Sequence, residues 1–353
     1  MNILYLYSEL MGYQIPVLEE YVKKYGAKVH VFHFDNRKLT PYKPPNIANV
    51  TYYNRSNYST KALIDLVKQI NPTITYISGW MDFGYLRAVR VLRKNKLPVV
   101  VGSDGIFFNT IKQNFATLLF PLFKNKFYSH YWVPGPYQYE FAKRLGFKSN
   151  EIIFNCYSAD IELFNRAYDN YQNKKKENYP HRFLFVGRIE ESKGIDLLVA
   201  AWNKICFRQE NKDWDMLIVG NGSLSYLLEN NKNIIFKSFL MPEDLICEIE
   251  SAGCFVIPSR YEPWALVIHE FSAAGLPVIC TNVCGAAPVF VTSGYNGYVM
   301  NSNDIQDLEK KMLAIINSSD DQLVLMGERS HNLGQKINPA ITAASFISVL
   351  KDQ

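Results

Sequence analysis

Short apolar runs alternate with segments of helical period along almost the whole chain. A run such as "PVVVGS", bounded by turn residues and followed by an amphipathic stretch, is the mark of a βαβ unit, and successive units close into a parallel sheet with helices on both faces. In the first half the strand candidates are "NILYLY", "KVHVFHF", "TITYIS", "PVVVGS", "HYWVP" and "EIIFN", with "IPVLEEYVKKY" and "KALIDLVKQI" among the helical segments between them. The pattern pauses at "RAYDNYQNKKKENYPHR", which is polar, charged and poor in aliphatic residues, and reads as a hinge. It restarts with "RFLFVG", "DMLIVG", "NIIFKS", "CFVIPS" and "LPVICT". The expectation is an α/β chain of two doubly wound Rossmann-like domains facing a cleft, residues 1–165 and 166–335. A last helix within 336–353 is expected to pack back on the first domain.

The 353 residues suffice for two cores of ordinary size. A net charge of +5 without a long basic block permits an anionic ligand or an anionic membrane and gives no sign of a nucleic-acid partner. The opening "MNILYLYSEL" reads as a first strand rather than a leader, and no run approaches the roughly 18 apolar residues of a spanning helix. The six cysteines form no CxxC pair and read as reduced thiols, so the expected location is cytoplasmic.

In open α/β sheets ligands bind beyond the carboxyl ends of the strands, so residues just after each strand carry the argument. "FLFVGRIEESKGIDLL" sets Gly187 and Arg188 at a strand end, and Lys193 and Gly194 at the entrance to the next helix. "MLIVGNGSL" ends in Gly220, Asn221 and Gly222, and "CFVIPSRYEPWAL" in Ser259, Arg260 and Glu262. Cations, flexible glycines and a helix start with free N–H groups make an anion site, and a diphosphate suits it better than a single phosphate. From Trp264 to Ala274 nearly every residue is apolar or small, yet Glu262 stands just before this helix and Glu270 within it. A buried carboxylate needs a partner.

The segments "FVGRIEESKGIDLL", "IVGNGSL", "PSRYEPWALVIHEFSAAGLPVI" and "SGYNGYVMNSNDIQDL" resemble, in that order, the donor-binding half of family 4 of the retaining glycosyltransferases, whose fold is GT-B. Glu262 and Glu270 match that family's E-x7-E signature. The resemblance implies that Arg188 and Lys193 neutralise the donor diphosphate, with Gly187 beside them. It further implies that the amides near Ala265, Leu266 and Val267 bind the distal phosphate, that Glu262 contacts the donor sugar, and that Glu270 holds the ribose. Ser238 and Phe239, within the stretch after "NIIF", would face the base. The chain departs from the family at Trp264 and Ala265, where Phe-Gly is common, and in "CGAAP", where Cys284 replaces a glycine and Pro288 an acid.

The same resemblance implies transfer of a hexose-type sugar, with retention, to a glycan or lipid-linked acceptor in bacterial surface polysaccharide or glycoconjugate synthesis. A phosphate oxygen of the leaving group would take the acceptor proton. No metal is expected, because the histidines are scattered and no Asp-x-Asp pair follows a strand. Gly12 resembles the glycine whose backbone approaches the donor phosphates. Glu9 and Tyr13 follow the first strand and are expected to face the acceptor. Asp104 follows another strand, where catalytic and helix-capping readings both stay open. Residues 106–128, rich in Phe and Leu with Lys112, Lys124 and Lys126 interspersed, fit either a peripheral contact with an anionic membrane or a helix packed on the first sheet. Two other functions stay open: a nucleotide-sugar epimerase of the same fold, and a protein that binds a nucleotide sugar without turning it over.

Overall fold

The computed structural model of the protein describes residues 1–36 and 42–351. Two compact units emerge, Met1–Asp160 with Ile337–Gln353, and Ile161–Lys336. Residues 352 and 353, the end of the expected last helix, lie outside the described residues.

The first unit holds seven parallel strands: β1 (Asn2–Leu6), β2 (Lys28–His33), β3 (Val50–Asn54), β4 (Ile74–Ser78), β5 (Val99–Gly102), β6 (His130–Trp132) and β7 (Ile152–Ile153). Their order is β3-β2-β1-β4-β5-β6-β7, so the chain reverses its direction of travel between β1 and β4. The helices are α1 (Ile15–Tyr25), α2 (Thr60–Ile70), α3 (Phe83–Lys94), α4 (Ile111–Leu119) and α5 (Pro136–Arg144). Their ends follow local chemistry. Ser59 Oγ accepts from Ala62 N at the start of α2, and an Asp82 carboxylate oxygen accepts from Tyr85 N at the start of α3. Gly26 closes α1 at φ 58°.

The second unit holds six parallel strands: β8 (Arg182–Val186), β9 (Asp215–Val219), β10 (Ile235–Lys237), β11 (Cys254–Ile257), β12 (Val278–Thr281) and β13 (Gly297–Met300). The order β10-β9-β8-β11-β12-β13 sets its switch point between β8 and β11. Its helices are α6 (Ile161–Glu177), α7 (Ile195–Phe207), α8 (Pro242–Glu250), α9 (Leu266–Ala273), α10 (Ala287–Phe290), α11 (Ile305–Ile316) and α12 (Asp320–Gly334). Phe183, Leu184 and Phe185 are all fully buried, as a strand covered on both faces requires.

The last helix, α13 (Pro339–Ser348), belongs to the first unit and packs on α1. Asn338 caps it by accepting from Ile341 N at 2.8 Å. Phe346 enters an aromatic cluster, 5.2 Å from Trp132 and 5.8 Å from Tyr5 between ring centroids. Removing such a buried ring costs about 3–5 kcal/mol. The two-residue period of β1 divides the core: Ile3 and Tyr5 join this cluster, while Leu4 and Leu6 join the opposite one.

Four sequence expectations are corrected. The strands β3 and β13 lie at sheet edges, where one long side stays unpaired; their mixed residues make too weak an apolar run to stand out. The polar segment read as a hinge is helical through Glu177. It buries Ile161, Phe164 and Ala167 at helical spacing, and Lys175 donates to the carbonyls of Ile249 (2.9 Å) and Ala252 (2.8 Å) at the end of α8. Helix α4 buries none of its residues, so it is not a helix packed on the sheet through its apolar face. Lys124, finally, is buried and paired with Glu151 at 2.7 Å, and so is withdrawn from the basic surface.

Candidate functional site

The candidate site of the second unit lies at its switch point, where β8 and β11 run side by side, since ligands of open α/β sheets bind there beyond the carboxyl ends of the strands. After β8 the chain passes Gly187 and the exposed Arg188, then turns through a 3-10 segment, Glu191–Lys193, into α7. Gly194 makes that entry at φ +69°, and a Cβ there would stand 2.0 Å from the carbonyl oxygen of Pro258. Only glycine fits. The Lys193 ammonium consequently rests on the carboxylate of Glu262, which follows β11 and is 7% exposed. The partner demanded by that buried acid is therefore Lys193.

Arg260 fixes the same two loops to one another. Its guanidinium forks onto Asp196 at 2.6 Å on both arms, donates to the Glu191 carbonyl at 2.8 Å and reaches Asn303 Oδ1 at 2.9 Å. The amides of Arg260 and Tyr261 both donate to the Ser192 carbonyl. This pairing holds the Asp196 carboxyl below the usual aspartate range. Sequence places Arg260 at the strand end, but nothing in the spacing reveals a partner 64 positions away.

The glycines after β9 have a structural explanation. A Cβ on Gly220 would lie 1.8 Å from the Gly187 carbonyl oxygen, and one on Gly222 would lie 2.3 Å from that of Ile189. They let the loops after β8 and β9 zip together, and Glu190 completes the seam by accepting from Ser223 N at 3.0 Å. A Cβ on Gly187, by contrast, would make only ordinary contact with the Phe185 ring, at 3.4 Å.

Helix α9 begins at Ala265, whose backbone is left-handed at φ 74° and ψ 69° with no side-chain cap. The amides of Leu266 and Val267 are the first of the helix and have no intrahelical acceptor. Ile268, His269, Phe271, Ser272 and Ala273 are buried, whereas Leu266, Val267 and Glu270 are half-buried. The side chains of those three share one face at i, i+1 and i+4 spacing, with Glu270 one turn past the helix start. Glu270 is thus not sealed in the core, as the apolar run suggested. Its neighbour His269 is, with Nε2 2.8 Å from the Gly334 carbonyl oxygen. Trp264 is buried, and its indole N–H meets no acceptor among the described residues.

Ser238 and Phe239 lie just past β10 and are exposed. Cys284 is buried beside Glu262, where burial pushes its thiol up to about 12. Pro288 is exposed in the first turn of α10.

In the first unit Gly12 opens a 3-10 turn, Gly12–Gln14, and a Cβ on it would meet only Tyr42, at 3.6 Å. The Tyr13 hydroxyl lies 3.4 Å from that of Tyr7, and its ring meets Tyr157 edge-on at 6.0 Å. Glu9 is half-buried in the loop between β1 and this turn. Asp104 follows β5 and is not the cap of α4, which is Thr110; Gln138 Nε2 donates to its carbonyl at 3.3 Å. Its charge helps to raise the Tyr157 and Cys156 groups, whose shifts come chiefly from burial. Among the described residues no group of three or more His, Cys, Asp or Glu is placed to hold a metal ion, and no helix is long and apolar enough to cross a membrane.

Residues 168–336 match the family model described as glycosyl transferases group 1. An uncharacterized glycosyltransferase of Methanocaldococcus jannaschii is 32% identical over 190 residues, 51% of this chain and 52% of the relative. The chain spans about half the length of the curated relatives it matches. A glycosyltransferase from Rickettsia africae superposes with a TM-score of 0.74 at 14% identity, covering 99% of this chain and 98% of that one. The Anabaena protein HepE, solved in complex with UDP, gives 0.73 at 15% identity and covers 100% of both chains. These likenesses establish the GT-B fold.

Proposed function

We propose that this GT-B chain, whose second unit carries a glycosyl transferases group 1 domain, moves a hexose-type sugar from a nucleotide-diphosphate sugar to a hydroxyl group of a glycan or lipid-linked acceptor. One observation carries the reading: the uncapped amides of Leu266 and Val267 open a helix that bears Glu270 one turn on, and this helix follows the loop in which Glu262 meets Lys193, beside the switch point. A helix start with free N–H groups and a nearby ammonium suits a diphosphate, and a carboxylate one turn further on suits vicinal hydroxyls. UDP in the HepE structure supports a nucleoside diphosphate as the leaving group.

In this reading Arg188 and Lys193 stabilise the negative charge that grows on the diphosphate as the glycosidic bond breaks. Lys193 is shared between Glu262 and the phosphates, which couples donor binding to the orientation of the acid that contacts the sugar. Gly187 leaves room beside the phosphates, Ala265 supplies the backbone turn, and Ser238 and Phe239 face the base. In the first unit Gly12 approaches the donor, Glu9 and Tyr13 hold the acceptor, and Asp104 lies near the reacting carbon. Transfer proceeds with retention and without a metal, the acceptor proton passing to a leaving phosphate oxygen. The reaction belongs to glycoconjugate assembly in the cytoplasm, on a membrane surface when the acceptor is lipid-linked.

The test is a thermal-shift panel of UDP-, GDP- and ADP-sugars, since a ligand of the folded state raises stability by RT ln(1 + [L]/Kd). Stabilisation by one of these, lost in Arg188→Ala and Lys193→Ala, is the expected result. No shift with any of them removes the proposal. Conversion of the donor sugar without an acceptor would mark an epimerase instead.

A further inference from the structure

Helix α4 and the turn after it are built inside out. Ile111, Phe115, Leu118 and Leu122 recur at helical spacing and are 77%, 62%, 69% and 77% exposed, while the residues turned inward include Gln113, Ala116 and Thr117. Gln113 donates to the Ile106 carbonyl at 2.6 Å, which ties the polar side to the body of the unit. A second apolar loop, between β4 and α3, adjoins this stripe. Trp80 contacts the Phe120 ring at 6.0 Å, and its neighbours Met81 and Phe83 are 82% and 81% exposed. Single exposed leucines are ordinary, but a helical stripe joined to a second apolar loop marks a surface made to be covered.

We infer that this surface docks the first unit on an anionic phospholipid bilayer, with the α4 stripe and Trp80–Phe83 entering the headgroup boundary. Charge selects this occupant. From position 105 to 139 the chain has no Asp or Glu, while Lys112 and Lys126 are exposed. On α3 the exposed stripe that starts at Phe83 continues through Arg87, Arg90 and Lys94, with no acid anywhere in the helix. Apolar side chains flanked by cations are what an anionic interface binds. A second copy is the poorer fit, because a two-fold contact sets the same cations against each other. The inference rests on the proposed lipid-linked acceptor for its purpose, and on exposure and charge alone for its geometry.

The test is co-sedimentation of the full chain with phosphatidylglycerol–phosphatidylethanolamine vesicles and with phosphatidylcholine vesicles. Alongside run the double substitutions Leu118→Glu/Leu122→Glu and Arg87→Glu/Arg90→Glu. Wild type should bind the anionic vesicles and release as salt rises. Each double variant should bind roughly tenfold more weakly or worse, with the melting temperature and any nucleotide-sugar stabilisation unchanged. Failure to bind anionic vesicles at low salt overturns the inference. So does a wild-type dimer, in sedimentation equilibrium without vesicles, that Leu118→Glu/Leu122→Glu converts to monomer while vesicle binding is absent. Vesicle binding without stabilisation by any nucleotide sugar would leave the docking surface standing and remove the transfer reading alone.

Discussion

The ammonium of Lys193, carried by the turn after β8, rests on the carboxylate of Glu262, carried by the loop after β11. Their side chains are 15% and 9% exposed, so each charge depends on the other. Replacing Lys193 with alanine leaves a buried carboxylate unpaired, which costs about 2 kcal/mol once partial solvent access is allowed for. Lys193→Ala is expected to lose this stability and to lower kcat/KM by roughly ten- to several-hundred-fold. Lys193→Ala/Glu262→Gln should recover most of the stability and none of the activity. Chemical denaturation and a coupled transfer assay read the two effects separately, and recovery of both would mean that the lysine serves the fold alone.

The Arg260–Asp196 fork predicts a specific acid limb. Arg260 holds the Asp196 carboxyl below its ordinary value in the folded chain, so on acidification the unfolded chain takes up that proton first. The contribution is therefore complete above about pH 5 and drains away as pH falls toward the folded value. Arg260→Ala and Asp196→Asn should each melt earlier than wild type near neutrality, and the gap should narrow below about pH 4. Melting temperatures taken across that range, with the gap constant or widening in acid, would contradict the assignment.

Two glycines are expected to behave in opposite ways. Gly220→Ala drives a Cβ to 1.8 Å from the Gly187 carbonyl oxygen at a φ of +148°, and should destabilise the second unit by about 3 kcal/mol or more. Gly12→Ala meets only the Tyr42 ring, at 3.6 Å, and should melt within about 0.5 kcal/mol of wild type. Loss of transfer in a well-folded Gly12→Ala then reports a donor that needs the space. Full activity would withdraw Gly12 from the site.

Ala265 holds a left-handed backbone, which costs a non-glycine residue about 1–2 kcal/mol. Ala265→Gly removes that strain while loosening the unfolded chain by about 0.5–1 kcal/mol, so its net effect should lie between neutral and about 1.5 kcal/mol stabilising. Transfer should persist, because the amides of Leu266 and Val267 keep their positions. Ala265→Val, with a branched side chain at the same φ, should lose both stability and donor binding. A tolerated valine would show that the helix entry is not held in this geometry.

Local signals carried the strands that are buried on both faces and the residue types gathered at strand ends. They carried less where burial is one-sided. Strand β3 buries only Val50 of its five residues and β13 only Gly297 and Met300 of its four, and α6 needs only Ile161, Phe164 and Ala167 to attach a helix whose other faces are charged. Helix α4 misleads in the other direction, since its period of apolar residues is right but its apolar face points outward.

The sequence by itself determined two doubly wound α/β units and the candidates Lys193, Glu262 and Glu270, because period and turn chemistry act over a few neighbouring residues, while the resemblance to a known family nominated the Ala265–Val267 helix start. Tertiary structure alone decided that Glu262 takes Lys193 as its partner, that Arg260 braces the loops rather than meeting them as a free cation, and that Gly220 and Gly222 serve loop packing. Each of those choices is a distance between residues far apart along the chain. Such distances are set by the strand order that brings β8 beside β11, and no local pattern encodes them.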